Sequence, residues 1–323
     1  MMKIRSGHLE VVINPSLGGE VSQITFLGHQ LLDCHEWEPP VATSRTRSYG
    51  DSRLDWLSEY RGGWQLLVPN AGAACVVDEV PLPFHGEWSR TIVEVVAATP
   101  TAVTMRAGTR LAITVERTIE VFDRPDRLRL STTLENVGVH AQPFLWGEHP
   151  AFAAEPGDVL DLPSGPVVAS ELPSQRTAWP SAGADRLDLV PSSRPLESVH
   201  YLPDRPAGWA ALRGVETGVG LAWDVRDFPH VWLWREFGSR GFPFYGRASI
   251  VAIEPANSWP GDGLAAAIET GQANWLAPGE RRRTAVTLVP FVPDGRPVSG
   301  VSHNGIITFG DHRDQQLRDD QHR

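Results

Sequence analysis

Four short stretches of this 323-residue chain combine glycine or proline with polar and aromatic residues that an apolar core does not need. They are "RGGWQLLVPNAG" from Arg61, "PLPFHGEWSR" from Pro81, "FLWGEHPAF" from Phe144 and "AIEPANSW" from Ala252. His149 lies between Glu148 and Pro150, with no second histidine at metal-ligand spacing. An imidazole with an ordinary pKa of about 6.5 can give or take a proton near neutral pH, and a carboxylate such as Glu254 can take one. Each candidate also has a structural reading. His149 and His85 could be histidines satisfied by backbone, Glu254 a solvated rim charge beside Pro255, and Arg61 a turn residue before two glycines. Trp232 and Trp234 share one strand face and read as core, whereas Trp146, Trp88 and Trp259 lie beside the polar candidates and have the better claim to a site.

The dominant period along the chain is two. Arg110 to Phe122 and Asp126 to Asn136 alternate polar and apolar residues around "DRPD", which predicts a long antiparallel hairpin. Similar runs include "HLEVVINP", "EVSQITFLG", "GVGLAWDV", "HVWLWREF", "RASIVAIEP" and "RRRTAVTLVPF". The 30 glycines and 27 prolines suit many turns and few helices, for which only "DSRLDWLSEY" and "GDGLAAAIET" are suited. Glu155 to Pro206, rich in Pro, Ser and Asp, reads as a linker or a loop over a binding face. Because the alternation resumes at Trp209, one domain over residues 1–310 is expected, followed by a disordered tail over residues 311–323.

The formal charge of −10 disfavours a nucleic-acid partner, which calls for a basic stripe. Two cysteines, Cys34 and Cys75, indicate neither a disulfide framework nor a thiolate metal site. No apolar run approaches the roughly 18 residues of a membrane span, and the N-terminus lacks the apolar segment of a signal peptide. A cytoplasmic protein with no membrane partner is the expectation.

In combination the motifs resemble one family, the galactose-mutarotase-like proteins, which include aldose 1-epimerases and hexose-6-phosphate 1-epimerases. "HLEVVINPSLGGEVSQITFLGHQLLD" is similar to that family's opening strands, and "RGGWQLLVPNAG" and "PLPFHGEWSR" to its R-G-G and H-G-x-x-R segments. "FLWGEHPAF" stands where the family has its histidine motif and "ASIVAIEPANSWP" where it has its glutamate motif, in matching order from about Leu9 to Phe291. The resemblance implies an all-β supersandwich with few short helices, a sugar as the small-molecule partner, and neither cofactor nor metal. By motif it makes His149 the general acid and Glu254 the general base. His85 and Arg61 become substrate-binding groups, with Trp146 beside them and Arg90 as a further candidate. Two departures bear on the substrate. Glu148 replaces the usual Asn before the histidine, and the substrate-holding Asp of the middle region is not assignable among Asp158, Asp161, Asp185, Asp188 and Asp204.

Interconverting the anomers of a free aldose needs one acid at the ring oxygen and one base at the C1 hydroxyl, which His149 and Glu254 supply. A glycosidase would need two carboxylates; Glu148 with Glu254 would provide them but leave His149 without a role. Neither the H-x-H of a metal-binding barrel nor the G-x-S-x-G of a serine hydrolase occurs. The alternatives kept are a hexose-6-phosphate 1-epimerase and a non-catalytic carbohydrate-binding or sensing protein of the same fold. An unphosphorylated aldose is preferred, since a phosphate would need cations beyond Arg61 that the sequence does not place.

Overall fold

The alternation of apolar and polar residues becomes two large antiparallel sheets. The computed structural model describes residues 1–35, 48, 50–183, 185–193 and 195–311. Of the tail expected to be disordered, residues 312–323 lie outside the described residues.

One sheet has 11 strands and the other eight. The expected hairpin forms with Ile113–Asp123 and Asp126–Asn136 in register from end to end, at the centre of the eight-stranded sheet. Ile113, Val115, Arg117, Ile119 and Val121 are buried and the residues that alternate with them are only partly so, as a half-buried strand requires. Side chains from both sheets, among them Val11, Ile24, Ile119, Leu130, Leu233, Ile253 and Val286, join one continuous apolar cluster. The layers are therefore sheet on sheet, in agreement with the supersandwich expected from the motifs.

Both expected helices form, and both are short. Helix α1 (Ser52–Glu59) is capped by Asp51, whose side chain accepts from the amides of Arg53 and Leu54. Helix α2 (Leu264–Glu269) follows the glutamate motif. No helix among the described residues is long and apolar enough to cross a membrane. The middle region differs from the expected linker or loop: Leu196–Leu202 is a full strand of the 11-stranded sheet, paired along its length with His230–Phe237. Its residues were hard to read because prolines and serines surround it and only half of it is buried.

Candidate active site

Four neighbouring strands of the 11-stranded sheet carry the centre of the site. Gly147–Ala153, the histidine strand, pairs on one side with Gly63–Leu67 and on the other with Ser249–Ala256, which in turn pairs with His230–Phe237. Directly opposed residues of an antiparallel pair share a face, so Gln65 opposite His149, and Trp232 opposite Glu254, point the same way. Tyr201 extends this row from the next strand. His149 Nε2 and Glu254 Oε1 come to rest 3.6 Å apart, too far for a direct hydrogen bond and side by side on the sheet.

Glu148, one residue earlier, faces the opposite way, into the space between the sheets. There Arg117 of the hairpin grips it with two hydrogen bonds of 2.7 and 2.8 Å, and Trp64 Nε1 donates to it at 2.7 Å. Both charged side chains are 1% exposed. The pleat thus assigns Glu148 to the core and His149 to the cleft, so Glu148 and Glu254 do not form the carboxylate pair that the glycosidase reading invoked.

Helix α1 and two loops build the walls. Trp56 and Tyr60, four residues apart, stack with ring centroids 4.6 Å apart and stand 5.4 and 5.7 Å from the His149 ring. His85 lies 5.5 Å from His149, ring to ring. Its backbone has a positive φ of 59°, and its amide donates to Gly72 O at 3.0 Å. His85 Nδ1 accepts from the Gly72 amide at 3.2 Å, which leaves the proton of the neutral ring on Nε2 as a donor for a ligand. Gly72 is required here: a Cβ would sit 2.1 Å from the Gly261 carbonyl oxygen. Asn70, fully buried, ties the same loops together by donating to Ala73 O and Pro83 O and accepting from the Leu264 amide.

These elements enclose a cleft of about 590 Å³. Its lining includes Trp56, Phe84, His85, His149, Tyr201, Trp232, Trp234, Phe244 and Glu254, with Asp51, Arg53 and Glu197 as further charged residues. Burial dominates the electrostatics. It lowers the pKa of His149 to about 4 and raises that of Glu254 well above the ordinary carboxylate range. His85 is held well below an ordinary histidine by burial first, then by His149 and Arg53. His149 Nδ1 and Glu254 Oε2 are both buried without a hydrogen-bond partner. His149 thus departs from the ordinary histidine value of about 6.5 assumed from the sequence, and burial favours neutral imidazole beside protonated carboxyl.

Of the six residues singled out in the sequence, the structure brings His149, Glu254 and His85 into one cleft. The other three stand elsewhere. Trp146 is 1% exposed and packs on Phe144 and Phe228, because it follows the core-facing strand end and its amide is held by Asn257. Arg61 does not line the cleft; its guanidinium donates to Tyr60 O and lies in the field of Glu59 and Glu20. Arg90 pairs with Glu59 and borders a separate small pocket beneath Trp56 and Tyr60. The tryptophans are likewise reversed: Trp232 and Trp234 share a face as expected, but that face is the cleft, while Trp88 is enclosed in the core. None of the five middle-region aspartates lines the cleft, and Glu197 is the carboxylate that region supplies. Trp56, Tyr201 and Glu197 were not anticipated; the i, i+4 pair of aromatics in "DSRLDWLSEY" was the available signal for the first. Among the described residues no group of three or more His, Cys, Asp or Glu is disposed to hold a metal ion.

No family model matches the sequence. No curated protein matches it either. Solved structures do. A protein from Synechocystis superposes with a TM-score of 0.69 at 16% identity, covering 90% of this chain and 96% of the other. A galactose mutarotase-like protein from Lactobacillus casei superposes with a TM-score of 0.63 at 17% identity over 90% of this chain and all of the other. The fold is galactose mutarotase-like. A galactose mutarotase related enzyme from Lactobacillus acidophilus gives a TM-score of 0.63 at 15% identity, covering 90% and 97% of the two chains. At these identities it is the mutarotase-like architecture that is shared. Of the five stretches that suggested it in the sequence, four contribute residues to the cleft lining, Gly72, His85, His149 and Glu254 among them, and the opening strands contribute none.

Proposed function

We propose that this chain is an aldose 1-epimerase, interconverting the anomers of an unphosphorylated reducing sugar in the cytoplasm without a cofactor. The observation that carries the reading is the side-by-side placement of His149 and Glu254 at 3.6 Å on the cleft floor. The ring oxygen and the C1 hydroxyl are bonded to the same carbon, so the acid and base that serve them must be neighbours. His149 Nε2–H gives a proton to the ring oxygen while Glu254 takes the C1 hydroxyl proton, and the C1–O5 bond breaks to leave an aldehyde. Rotation about C1–C2 presents the other carbonyl face. Glu254 then returns its proton to O1 as the C5 oxygen attacks, and His149 recovers its proton. Ring opening leaves His149 neutral and Glu254 protonated, the forms that burial favours. The ionised pair that starts the cycle draws its support from sugar hydroxyls, which supply hydrogen bonds to the buried unpartnered atoms. Arg53 is the one cation among the described cleft-lining residues, and it is exposed, which favours a sugar without phosphate. The test is anomer exchange by NMR for a panel of hexoses and hexose 6-phosphates. Exchange confined to the phosphates, or no exchange with any sugar, would contradict the reading.

The pair shares one exchangeable proton, so the pH profile follows from its shifts. As pH falls through about 4, His149 gains a second proton for the pair while Glu254 keeps its own, and the base is lost. The acid limb of kcat/KM is therefore expected near pH 4, not near the 6.5 of an unshifted histidine. The raised Glu254 carries the plateau toward neutral pH. An acid limb centred near 6.5 would contradict the desolvated pair. Dialysis against a chelator is expected to leave exchange unchanged, because both proton carriers are side chains; activity restored only by added metal would require His85 and His149 to be reread.

A further inference from the structure

We infer that the cleft takes a reducing disaccharide, with its reducing ring over His149 and Glu254 and its second ring held between Glu197 and the Gly241–Phe244 loop; this deepens the epimerase reading and rests on it. The register sets the length. Glu254 is level with Trp232 and Tyr201, and the same face continues through Trp234 and Val199 to Glu197, four residues beyond Tyr201. At the rise of a strand this is roughly 13 Å, longer than one pyranose ring. Both ends of that line belong to the same cleft of about 590 Å³, a size that suits ligands larger than a single sugar ring.

The chemistry changes along the line. At the floor stand the acid, the base and His85, all buried. The lining also includes Phe242, Pro243 and Phe244, from the loop that follows the strand ending at Phe237, and Val199 and Glu197 from the strand paired with it. Phe242 is 39% exposed, an aromatic surface at the mouth of a cleft, suited to the apolar face of a sugar ring. Glu197 is exposed and is an acceptor for hydroxyl groups of that ring. It stands opposite Glu236, whose Oε1 is occupied by the Ser239 amide at the root of the same loop. A second neutral ring satisfies both the aromatic surface and Glu197, whose carboxylate would repel an acidic group.

The experiment compares cellobiose, maltose and lactose with glucose and galactose on the full chain, by NMR anomer exchange and, independently, by calorimetric titration. At least one disaccharide is expected to show a kcat/KM and an affinity at least about tenfold above those of its component hexoses. Phe242→Ala and Glu197→Gln are expected to lower the disaccharide values about tenfold more than the hexose values. Hexoses that equal or exceed every disaccharide in both measurements overturn the second subsite, as do variants that lower both classes alike. Disaccharide binding with the expected variant effects but no exchange of any sugar would support the subsite while removing the epimerase reading, so the two fail separately.

Discussion

Replacing His149 or Glu254 by alanine is expected to lower kcat for anomer exchange by about 10²–10⁴, the usual contribution of a positioned general acid or base. The double variant should lose little more than the worse single variant, because a donor without its acceptor completes neither half of the cycle. His85→Ala should act mainly through KM, since its neutral ring offers a hydrogen bond and no proton transfer is assigned to it. Arg61→Ala and Arg90→Ala should change kcat little, because neither side chain lines the cleft. Stability separates this assignment from a structural role. His149 Nδ1 and Glu254 Oε2 are buried without partners, so removing either side chain relieves desolvation and should leave the unfolding midpoint unchanged or higher. Wild-type exchange by His149→Ala, or a large loss of stability with intact catalysis, would make it a structural histidine.

Breaking the pair behind the histidine strand should have the largest effect on folding. Arg117 and Glu148 are each 1% exposed and joined by two hydrogen bonds, so removing one partner leaves a charge buried alone. Such losses are typically about 3–5 kcal/mol, a large share of the roughly 5–15 kcal/mol that separates a folded domain from its unfolded chain. Arg117→Met and Glu148→Gln should each show that loss in denaturant unfolding, whereas Arg117→Met combined with Glu148→Leu should recover much of it. Single losses below about 1 kcal/mol would mean that water or a shifted neighbour satisfies the remaining charge.

How far the sequence could be read depended on whether a residue's role was set by its neighbours in the chain or across the sheet. The hairpin from Ile113 to Asn136 and both helices were legible, because periodicity and capping are local. His149, Glu254 and His85 were found through motifs whose glycines and prolines mark strand ends. Trp146 and Trp234 were misassigned for one reason: a tryptophan beside polar residues and one in an apolar run look different in sequence, yet which face reaches the cleft is fixed by cross-strand register. Tyr201 and Glu197 lay on a strand concealed by its proline-rich surroundings. The direction of Glu148 followed from the pleat, but its partner Arg117, on the other sheet, could not be read from spacing.

The order of the strands also bears on when activity can arise during synthesis. The strand bearing Gln65, the strand bearing His149 and the strand bearing Glu254 are neighbours in the sheet, yet about eighty and then about a hundred positions separate them along the chain. Such non-local pairing must await closure of long loops, and sheets built this way fold slowly. A ribosome would release the histidine strand well before its partner glutamate exists, so nascent or truncated chains ending before Ser249 would be catalytically silent. They would also expose the unpaired edge of Gly147–Ala153, an open template for aggregation until the glutamate strand arrives to cover it.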